Sequence, residues 1–412
     1  MKALYKPSDA DHPHRWIILG GVWLIYFSFG LTVAALGPLV GSITEDLQIS
    51  YGEMGTVLGA WPFVYILAAM PCGFLIDRIG PRKALFLAAV LMATSGFLRS
   101  CADSHLTMAI AVAIFGLGGP MISIGAPKVI ALLFQGKDRG LAMGIYITGP
   151  GLGAVIAIAI TNSLLLPALY DNWRLVTGSY AVFTLIAGFI WTLLSLNPSG
   201  RFIESNASKG AEEAVVRTFR RLASIPSVQL VLIMSVGIFF INHGLNNWLP
   251  EIIREHGVSA AEAGYWAAIP TGISVLSALI IPRLASPERR IFILGFLIFS
   301  SSCATLLLHF EPGPTLIMGL LLQGIARGAM MTVALLLLVE IPNIGPKRAG
   351  TAGGLFFTAA EIGGVAGPIT IGLFHDITGG FSTSLLLLTT ISFLLLAVLF
   401  PLRQSLQKSF NT

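Results

Sequence analysis

The chain has 412 residues, of which 55% are hydrophobic and only 11% carry a charge. A soluble domain of this composition has too little polar surface to cover its apolar interior. The net charge of +5 is by itself compatible with a nucleic-acid partner, but the apolar residues fall into runs of about 20, the length that crosses a bilayer. Since unpaired backbone polar groups are not tolerated in lipid, these runs must be helices. We therefore expect an all-α membrane protein surrounded by the lipid bilayer.

The apolar runs follow one another along the chain and predict twelve transmembrane helices. Their ranges are 16–40, 53–76, 84–101, 106–134, 140–166, 174–196, 227–249, 262–282, 291–308, 315–341, 350–374 and 382–401. The first run is too long for a signal peptide, so we expect it to be retained. An even number of spans puts both termini on one side, and most Lys and Arg residues then fall on that side. The positive-inside rule assigns it to the cytoplasm of a bacterial inner membrane, which explains the basic charge without any nucleic acid.

One polar segment, 197–226, divides the chain into an N-terminal six-helix half at 1–196 and a C-terminal six-helix half at 227–412. Its mixed charge predicts a cytoplasmic linker. The two halves also repeat a glycine pattern in the fifth and eleventh spans, at an offset of 210 residues. The repeated glycines are Gly140, Gly144 and Gly153 in the first half and Gly350, Gly354 and Gly363 in the second. Parallel six-helix repeats with a site between them are an architecture of secondary transporters.

The loop after the second span carries the most specific motif. It reads Gly73-Phe-Leu-Ile-Asp-Arg-Ile-Gly-Pro-Arg-Lys83 and closely resembles the signature loop of the major facilitator superfamily, G-x-L-x-D-R-x-G-R-K-x, with Pro81 in place of a basic residue. The cytoplasmic gate that this resemblance implies consists of Asp77, Arg78, Gly80, Arg82 and Lys83. In the family, the aspartate helps to latch this gate when the carrier opens outward. The alternative is an ordinary basic turn.

The superfamily resemblance covers essentially the whole chain. It implies a fold of twelve transmembrane helices in two six-helix pseudo-repeats, with the first, fourth, seventh and tenth helices lining a central cavity. A narrower resemblance, to the branch that contains the cyanate permease and the nitroimidazole transporter, rests on Leu98-Arg99, Pro127-Lys128 and Asn247-Trp248-Leu-Pro.

Arg327 is the charged residue that the predicted spans place nearest the bilayer centre. It lies 12 residues into the tenth span, which is roughly 18 Å at 1.5 Å per residue. A charge at that depth costs at least about 2.5–3.5 kcal/mol unless it has water, a partner or a ligand. We expect its planar guanidinium to bind a carboxylate or another oxyanion. The alternative is an internal salt bridge with Glu361, which lies at a similar depth in the eleventh span.

Other charged residues in or beside the spans have two interpretations each. Lys128, in the inner half of the fourth span, either contacts the substrate or extends to the cytoplasmic surface. Arg99 and Arg174, at outer helix ends, either form an interfacial outer vestibule that attracts anions or contact the substrate directly. Glu361 either forms a structural ion pair or titrates and couples transport to protons.

The seventh span contains a polar cluster of Asn242, His243, Asn246, Asn247 and Trp248. Residues at i and i+4 share a helix face, so the amides and the imidazole lie together. Such a face cannot point to lipid; it either lines the cavity and binds a small solute or joins helices. Weaker candidates for the cavity wall are Tyr26, Thr32, Tyr65, Ser123, Tyr146 and Gln323.

No nucleophile–base pair, zinc motif or phosphate-binding loop occurs in the sequence. We therefore expect neither an enzyme nor a cofactor or metal, and the energy must come from solute gradients. The excess of cations over acids within the spans favours a secondary transporter of a small organic anion, driven by protons or by exchange. We expect this transporter to be a monomer. The alternative is a proton-coupled efflux antiporter for drugs or metabolites, which the partial antiporter motif at Gly149-Pro150-Gly-Leu-Gly153 supports. A non-transporting membrane sensor would need a soluble domain, which the sequence does not predict.

Overall fold

The computed structural model describes residues 14–196, 221–339, 341 and 344–411, without the side chains of 137, 345–351 and 408–411. Within these segments, 12 helices are long and apolar enough to cross a membrane, as the sequence predicts. We label them α1 (His14–Ala34, continued by Leu36–Leu47), α2 (Tyr51–Ile79), α3 (Pro81–Ser100), α4 (His105–Leu133), α5 (Gly136–Ile160, continued by Thr161–Leu165 and Leu166–Ala168), α6 (Trp173–Leu194), α7 (Pro226–Arg254), α8 (Ala260–Leu284), α9 (Arg290–Leu307), α10 (Pro314–Val339), α11 (Gly345–Thr378) and α12 (Ser382–Asn411). The predicted linker lies largely outside the described residues, as does Glu340.

Helix α1 is longer than its apolar run predicts. The helix breaks at Ala35 and continues to Leu47, past the predicted end at 40. Pro38 has no N–H to donate to the carbonyl one turn earlier, which favours a break at this point. The extension is polar, and Glu45 and Asp46 in its last turn are exposed. Hydropathy locates the part of a helix in lipid, whereas the helix itself continues into water.

Close helix contacts at glycine confirm the repeat that the sequence shows. A Cβ added at Gly153 in α5 would lie 2.1 Å from the carbonyl oxygen of Phe27 in α1. A Cβ at Gly363 in α11 would lie 1.9 Å from the carbonyl oxygen of Val236 in α7. Both positions therefore need glycine, and α5 packs on α1 as α11 packs on α7.

The two halves meet at one end of the molecule, which we call the outer end after the predicted orientation. There α2 contacts α11: a Cβ at Gly55 would lie 2.6 Å from the carbonyl oxygen of Pro368, and one at Gly372 would lie 2.2 Å from that of Tyr51. Near the opposite, cytoplasmic end of α5, a Cβ at Gly140 or Gly144 would meet nothing within 4 Å. This packing closes the molecule at the end that we label outer.

Candidate functional site

Arg327 lies half-way along α10 and forms the centre of a polar cluster in the C-terminal half. Its Nη2 donates to the Oδ1 of Asn246 in α7 at 2.6 Å, and its Nη1 donates to the hydroxyl of Thr271 in α8 at 3.0 Å. Both partners are neutral, so the cation keeps its charge uncompensated. Thr271 was not among the residues that the sequence singled out, because a lone Thr in an apolar helix is normally bonded to its own backbone.

The cluster lies where the two halves meet. The Cβ position of Gly37 in α1 is 3.3 Å from the carbonyl oxygen of Asn246 and 3.1 Å from that of Asn247. Glycine at 37 therefore allows α1 to approach the polar face of α7. Asn246, whose side chain accepts a hydrogen bond from Arg327, therefore lies at the interface of the two halves.

Glu361 does not form the salt bridge with Arg327 that the sequence allowed as an alternative. Glu361 is 4% exposed, and its Oε2 atom has no hydrogen-bond partner. The nearest basic group is His243 in α7, with Nε2 3.9 Å from that oxygen. Arg327 instead donates to the neutral side chains of Asn246 and Thr271.

His243 connects this acid to the N-terminal half. Its ring stacks on Trp61 of α2 at a centroid distance of 5.3 Å and on Phe239 of α7 at the same distance. A Cβ added at Gly364 would meet both Glu361 Oε2, at 2.5 Å, and His243 Nδ1, at 3.0 Å. Glycine at 364 therefore keeps the carboxylate and the imidazole close to each other. Trp61 was not predicted, since an indole in an apolar run gives no signal of its own.

Two amides beside Arg327 have unused acceptors. Oδ1 of Asn242 and Oε1 of Gln323 are buried without a hydrogen-bond partner. Gln323 lies one turn before Arg327 on α10, and Asn242 lies one turn before Asn246 on α7. Asn247, by contrast, donates to the carbonyl of His243 at 2.8 Å and is buried, so it joins turns of its own helix. The polar cluster is therefore only partly satisfied by protein groups.

The N-terminal half contributes aromatic side chains. Tyr26 of α1 stacks on Tyr146 of α5 at 5.6 Å with an angle of 9° between the rings. Phe29 of α1 contacts Tyr26 at 5.8 Å and Trp61 at 6.3 Å. The side chain of Ser123 interacts with those of Tyr26 and Tyr65. These residues form a wall without a charged group, which we call the aromatic wall (Tyr26, Phe29, Trp61, Tyr65 and Tyr146).

Trp248 is not part of this site, contrary to the prediction. Its side chain is fully buried, its Nε1 donates to the carbonyl of Pro368 at 3.0 Å, and its ring stacks on Tyr51 at 5.5 Å. The indole therefore packs α7 against α11 and α2 near the outer end, and it has no N–H left for a solute. On α7 it lies two positions after Asn246, on the other side of the helix from Asn242 and Asn246.

Comparisons with known proteins identify the family. The sequence profile of the Major Facilitator Superfamily matches residues 22–290 and 251–412. The chain belongs to this superfamily. Its members are transporters, so the protein is a multi-pass membrane transporter and not an enzyme.

Three curated bacterial relatives match almost the whole chain. The uncharacterized transporter YycB of Bacillus subtilis is 23% identical, covering 92% of this chain and 92% of that protein. The probable sulfoacetate transporter SauU of Cupriavidus necator is 22% identical, covering 89% of each chain. The probable galactarate/D-glucarate transporter GudP of Bacillus subtilis is 23% identical, covering 93% of this chain and 90% of that one.

A solved structure shares the fold. It is a bacterial homologue of the human lysosomal transporter Spinster in an inward-facing, unoccupied conformation, with a TM-score of 0.77, 16% identity, and coverage of 97% of this chain and 99% of that chain. In the described segments of this superfamily member, no three His, Cys, Asp or Glu residues are grouped to hold a metal ion.

The superfamily loop is engaged within the N-terminal half. Asp77, in the last turn of α2, forms a salt bridge with Lys128 of α4. Arg82 donates from Nε to the hydroxyl of Ser195 at 3.0 Å, while Arg78 and Lys83 are exposed. Gly80 separates α2 from α3 with a φ of 84°, a conformation that favours glycine. Lys128 is therefore the ion-pair partner of this loop, and Asp77 neutralises its charge.

The two arginines predicted for an outer vestibule have other partners. Arg99 is only 2% exposed; its Nη1 donates to the carbonyl of Thr32 at 3.2 Å, and its guanidinium lies 5.3 Å from the centre of the Phe115 ring. It is therefore buried inside the N-terminal half. Arg174 is at the outer surface but forms a salt bridge with Asp46 at 2.6 Å. Neither offers a free cation to an incoming anion.

The outer gate is held by carboxylates of the C-terminal half that bind backbone N–H groups of the N-terminal half. Asp376, in the last turn of α11, accepts from the N–H of Tyr51 at 3.0 Å and of Gly52 at 2.7 Å. These are the first N–H groups of α2, which have no partner within their own helix. His375 stacks on Tyr51 at 4.0 Å and pairs with Glu255 at 3.4 Å.

A second carboxylate acts in the same way on α1. Glu251 of α7 is 4% exposed, accepts from the N–H of Gly41 at 3.2 Å and pairs with Arg254 at 3.0 Å. Arg254 also lines a pocket of about 600 Å³ on the outer face, together with Gly41 and Gln48. The sequence did not predict these gate residues, because the backbone N–H donors that they bind have no side-chain signature.

Proposed function

We propose that this transporter is a monomeric secondary carrier that moves a small organic anion across the bacterial inner membrane by alternating access, with both termini in the cytoplasm. Arg327 carries the proposal, because its guanidinium lies half-way along the membrane-spanning helix α10, at the interface of the halves, and its hydrogen-bond partners are neutral. Keeping a cation there is costly unless a ligand compensates it. We infer that the substrate's acid group binds the fork of Arg327, with Asn246 and Thr271 holding the fork in place.

The other cations in or beside the predicted spans support this assignment, because they have partners of their own. In the described helices, Lys128 is neutralised by Asp77, Arg174 by Asp46 and Arg254 by Glu251. Arg99 has no acid but is sealed between a carbonyl and an aromatic ring. Arg327 is therefore the cation best placed to meet a solute.

The relatives agree with an anionic substrate. The printed names of two of them give sulfoacetate and galactarate or D-glucarate as probable substrates, and all of these carry acid groups. At 22–23% identity we carry over the acid group alone, and not the identity of the compound.

We propose that Glu361 provides the coupling, either by carrying a proton or by permitting anion exchange. Its buried oxygen has no hydrogen bond, and no permanent cation lies within ion-pair distance among the described residues. A buried carboxylate in that state is stabilised by binding a proton. Trp61 of the other half covers the neighbouring His243 in the outward-closed conformation, so opening the outer gate would change the access of water to this pair.

The test is a thermal-shift screen of the purified protein with small carboxylic acids and their neutral amides, since a ligand stabilises by RT ln(1 + [L]/Kd). The proposal expects a shift with at least one acid, no shift with its amide, and loss of the shift in Arg327→Lys. Arg174→Lys, which also keeps its charge, is the matched control and should retain the shift. Equal stabilisation by acid and amide, or by cationic drugs alone, would contradict the proposal and favour the efflux alternative.

A further inference from the structure

We infer that the substrate has a single acid group attached to a flat aromatic body, and is thus an aromatic monocarboxylate rather than a sugar diacid. This inference rests on the proposed function, because it uses Arg327 as the anion site. It follows from a difference between the two sides of the interface: the C-terminal side offers one cation within a polar cluster, and the N-terminal side offers uncharged aromatic rings.

The first step concerns the number of acid groups. A diacid needs a second cation or a second hydrated pocket for its other end, since an unpaired charge is costly inside the membrane. The side facing Arg327 has none in the described chain: Lys128 is paired with Asp77, and Arg99 is buried against Thr32. Glu361 is an acid and offers no cation to a second carboxylate. The charges therefore balance for one acid group only.

The second step concerns the body of the substrate. Tyr26 and Tyr146 present parallel rings, and Phe29 and Trp61 continue the aromatic wall towards His243 of the other half. Tyr26, Phe29 and Trp61 are each partly exposed. Aromatic rings prefer other rings at offset-stacked or edge-to-face geometry and gain beyond simple area burial. Since the side chains of Tyr26 and Tyr65 already interact with Ser123, a hydroxylated chain lying on the ring faces would lose water and regain few hydrogen bonds from the wall.

The test titrates five probes against the detergent-purified full chain by calorimetry; three of them differ from the reference in one property each. Benzoate is the reference; benzamide removes the charge, terephthalate adds a second acid group, cyclohexanecarboxylate removes the flat ring, and D-galactarate represents the diacids named for a relative. We expect benzoate to bind at least about tenfold more tightly than each of the other four, a difference of about 1.4 kcal/mol.

The outcomes separate the inference from the proposed function. If benzoate and benzamide bind equally, the anion site itself is wrong. If D-galactarate or terephthalate binds more tightly than benzoate while amides do not bind, the anion site stands and the inference is overturned. Equal affinities for cyclohexanecarboxylate and benzoate would likewise overturn the inference, since an apolar pocket without ring stacking would then explain the binding.

A variant of the wall checks where the ring lies. Tyr26→Leu should weaken benzoate binding about three- to tenfold through loss of a ring contact, and it should leave cyclohexanecarboxylate binding nearly unchanged. Tyr265→Leu is the control, since Tyr265 in α8 is 56% exposed and lies outside the wall. An equal loss for both probes in Tyr26→Leu would show a merely structural effect and contradict the inference.

Discussion

The outer gate can be tested by removing one carboxylate. Asp376→Ala deletes the acceptor for the N–H groups of Tyr51 and Gly52, which then have no protein partner when the halves meet. A hydrogen bond to a charged group contributes about 1.5–3 kcal/mol when buried. Asp376 is exposed, so solvent screening reduces this to roughly 0.5–1 kcal/mol for each bond. The variant should therefore destabilise the outward-closed state by about 1–2 kcal/mol relative to the outward-open state. This corresponds to a five- to thirtyfold shift of the equilibrium towards the outward-open state.

The assay is labelling of a single cysteine at the gate. Ile369 packs on Gly55 and Gly59 where α2 meets α11, so Ile369→Cys, with the three native cysteines replaced, should react slowly with a membrane-impermeant maleimide. Asp376→Ala should raise the labelling rate five- to thirtyfold. Glu53→Ala is the matched control, because Glu53 caps the same helix end but accepts from Ser50 of its own half. Equal labelling rates in the two variants would refute the role of Asp376 as a latch.

Three further predictions concern the interior. Arg327→Lys keeps the charge but loses the two-pronged fork, so binding of an acid ligand should weaken at least about tenfold by calorimetry, whereas unchanged binding would contradict the ligand role. Glu361→Gln should abolish proton-driven accumulation in proteoliposomes while exchange of labelled for unlabelled solute continues; accumulation that persists would exclude Glu361 as the proton carrier. Lys128→Ala should release Asp77 and shift the gate towards the outward-open state by up to about fivefold, the value of an exposed ion pair, measured by the same cysteine labelling; an unchanged labelling rate would show that the pair does not bias the gate.

The fold and the central cation were predictable from sequence for a simple reason. Hydropathy is a property of single residues averaged over a run, and a charge within such a run is conspicuous wherever the helix packs. The depth of Arg327 and of Glu361 followed from counting residues along straight helices. Their partners did not follow, because counting gives height and not rotation: Glu361 lies at the expected height and is adjacent to His243 instead of Arg327.

The vestibule predictions failed for a related reason. Arg99 and Arg174 lie at the ends of their spans, as counted, but Asp46 reaches Arg174 only because α1 continues as a helix beyond its apolar run. Arg99 points inward against Phe115 rather than outward. The gate residues were invisible since Asp376 and Glu251 bind backbone N–H groups, which every residue except proline has. Contacts of this kind depend on how the halves meet, and no local pattern encodes them.

The contact of α2 with α11 relates the outer gate to the superfamily loop. Gly55 contacts Pro368 and Gly59 contacts Val365, so α2 and α11 pack antiparallel to each other. The two helices also end alike, each with an aspartate two residues before the last helical residue and a positive-φ glycine just after it: Asp77 with Gly80, and Asp376 with Gly379. At the outer end, Asp376 caps the start of α2. Continuing the same register to the cytoplasmic end places Asp77 opposite the first turn of α11, which begins at Gly345. When the cytoplasmic side closes, Asp77 would leave Lys128 and accept hydrogen bonds from the N–H groups of that turn, which have no partner within their own helix. One pair of antiparallel helices would thus supply a carboxylate cap for each gate, and each cap would have to break before the other could form.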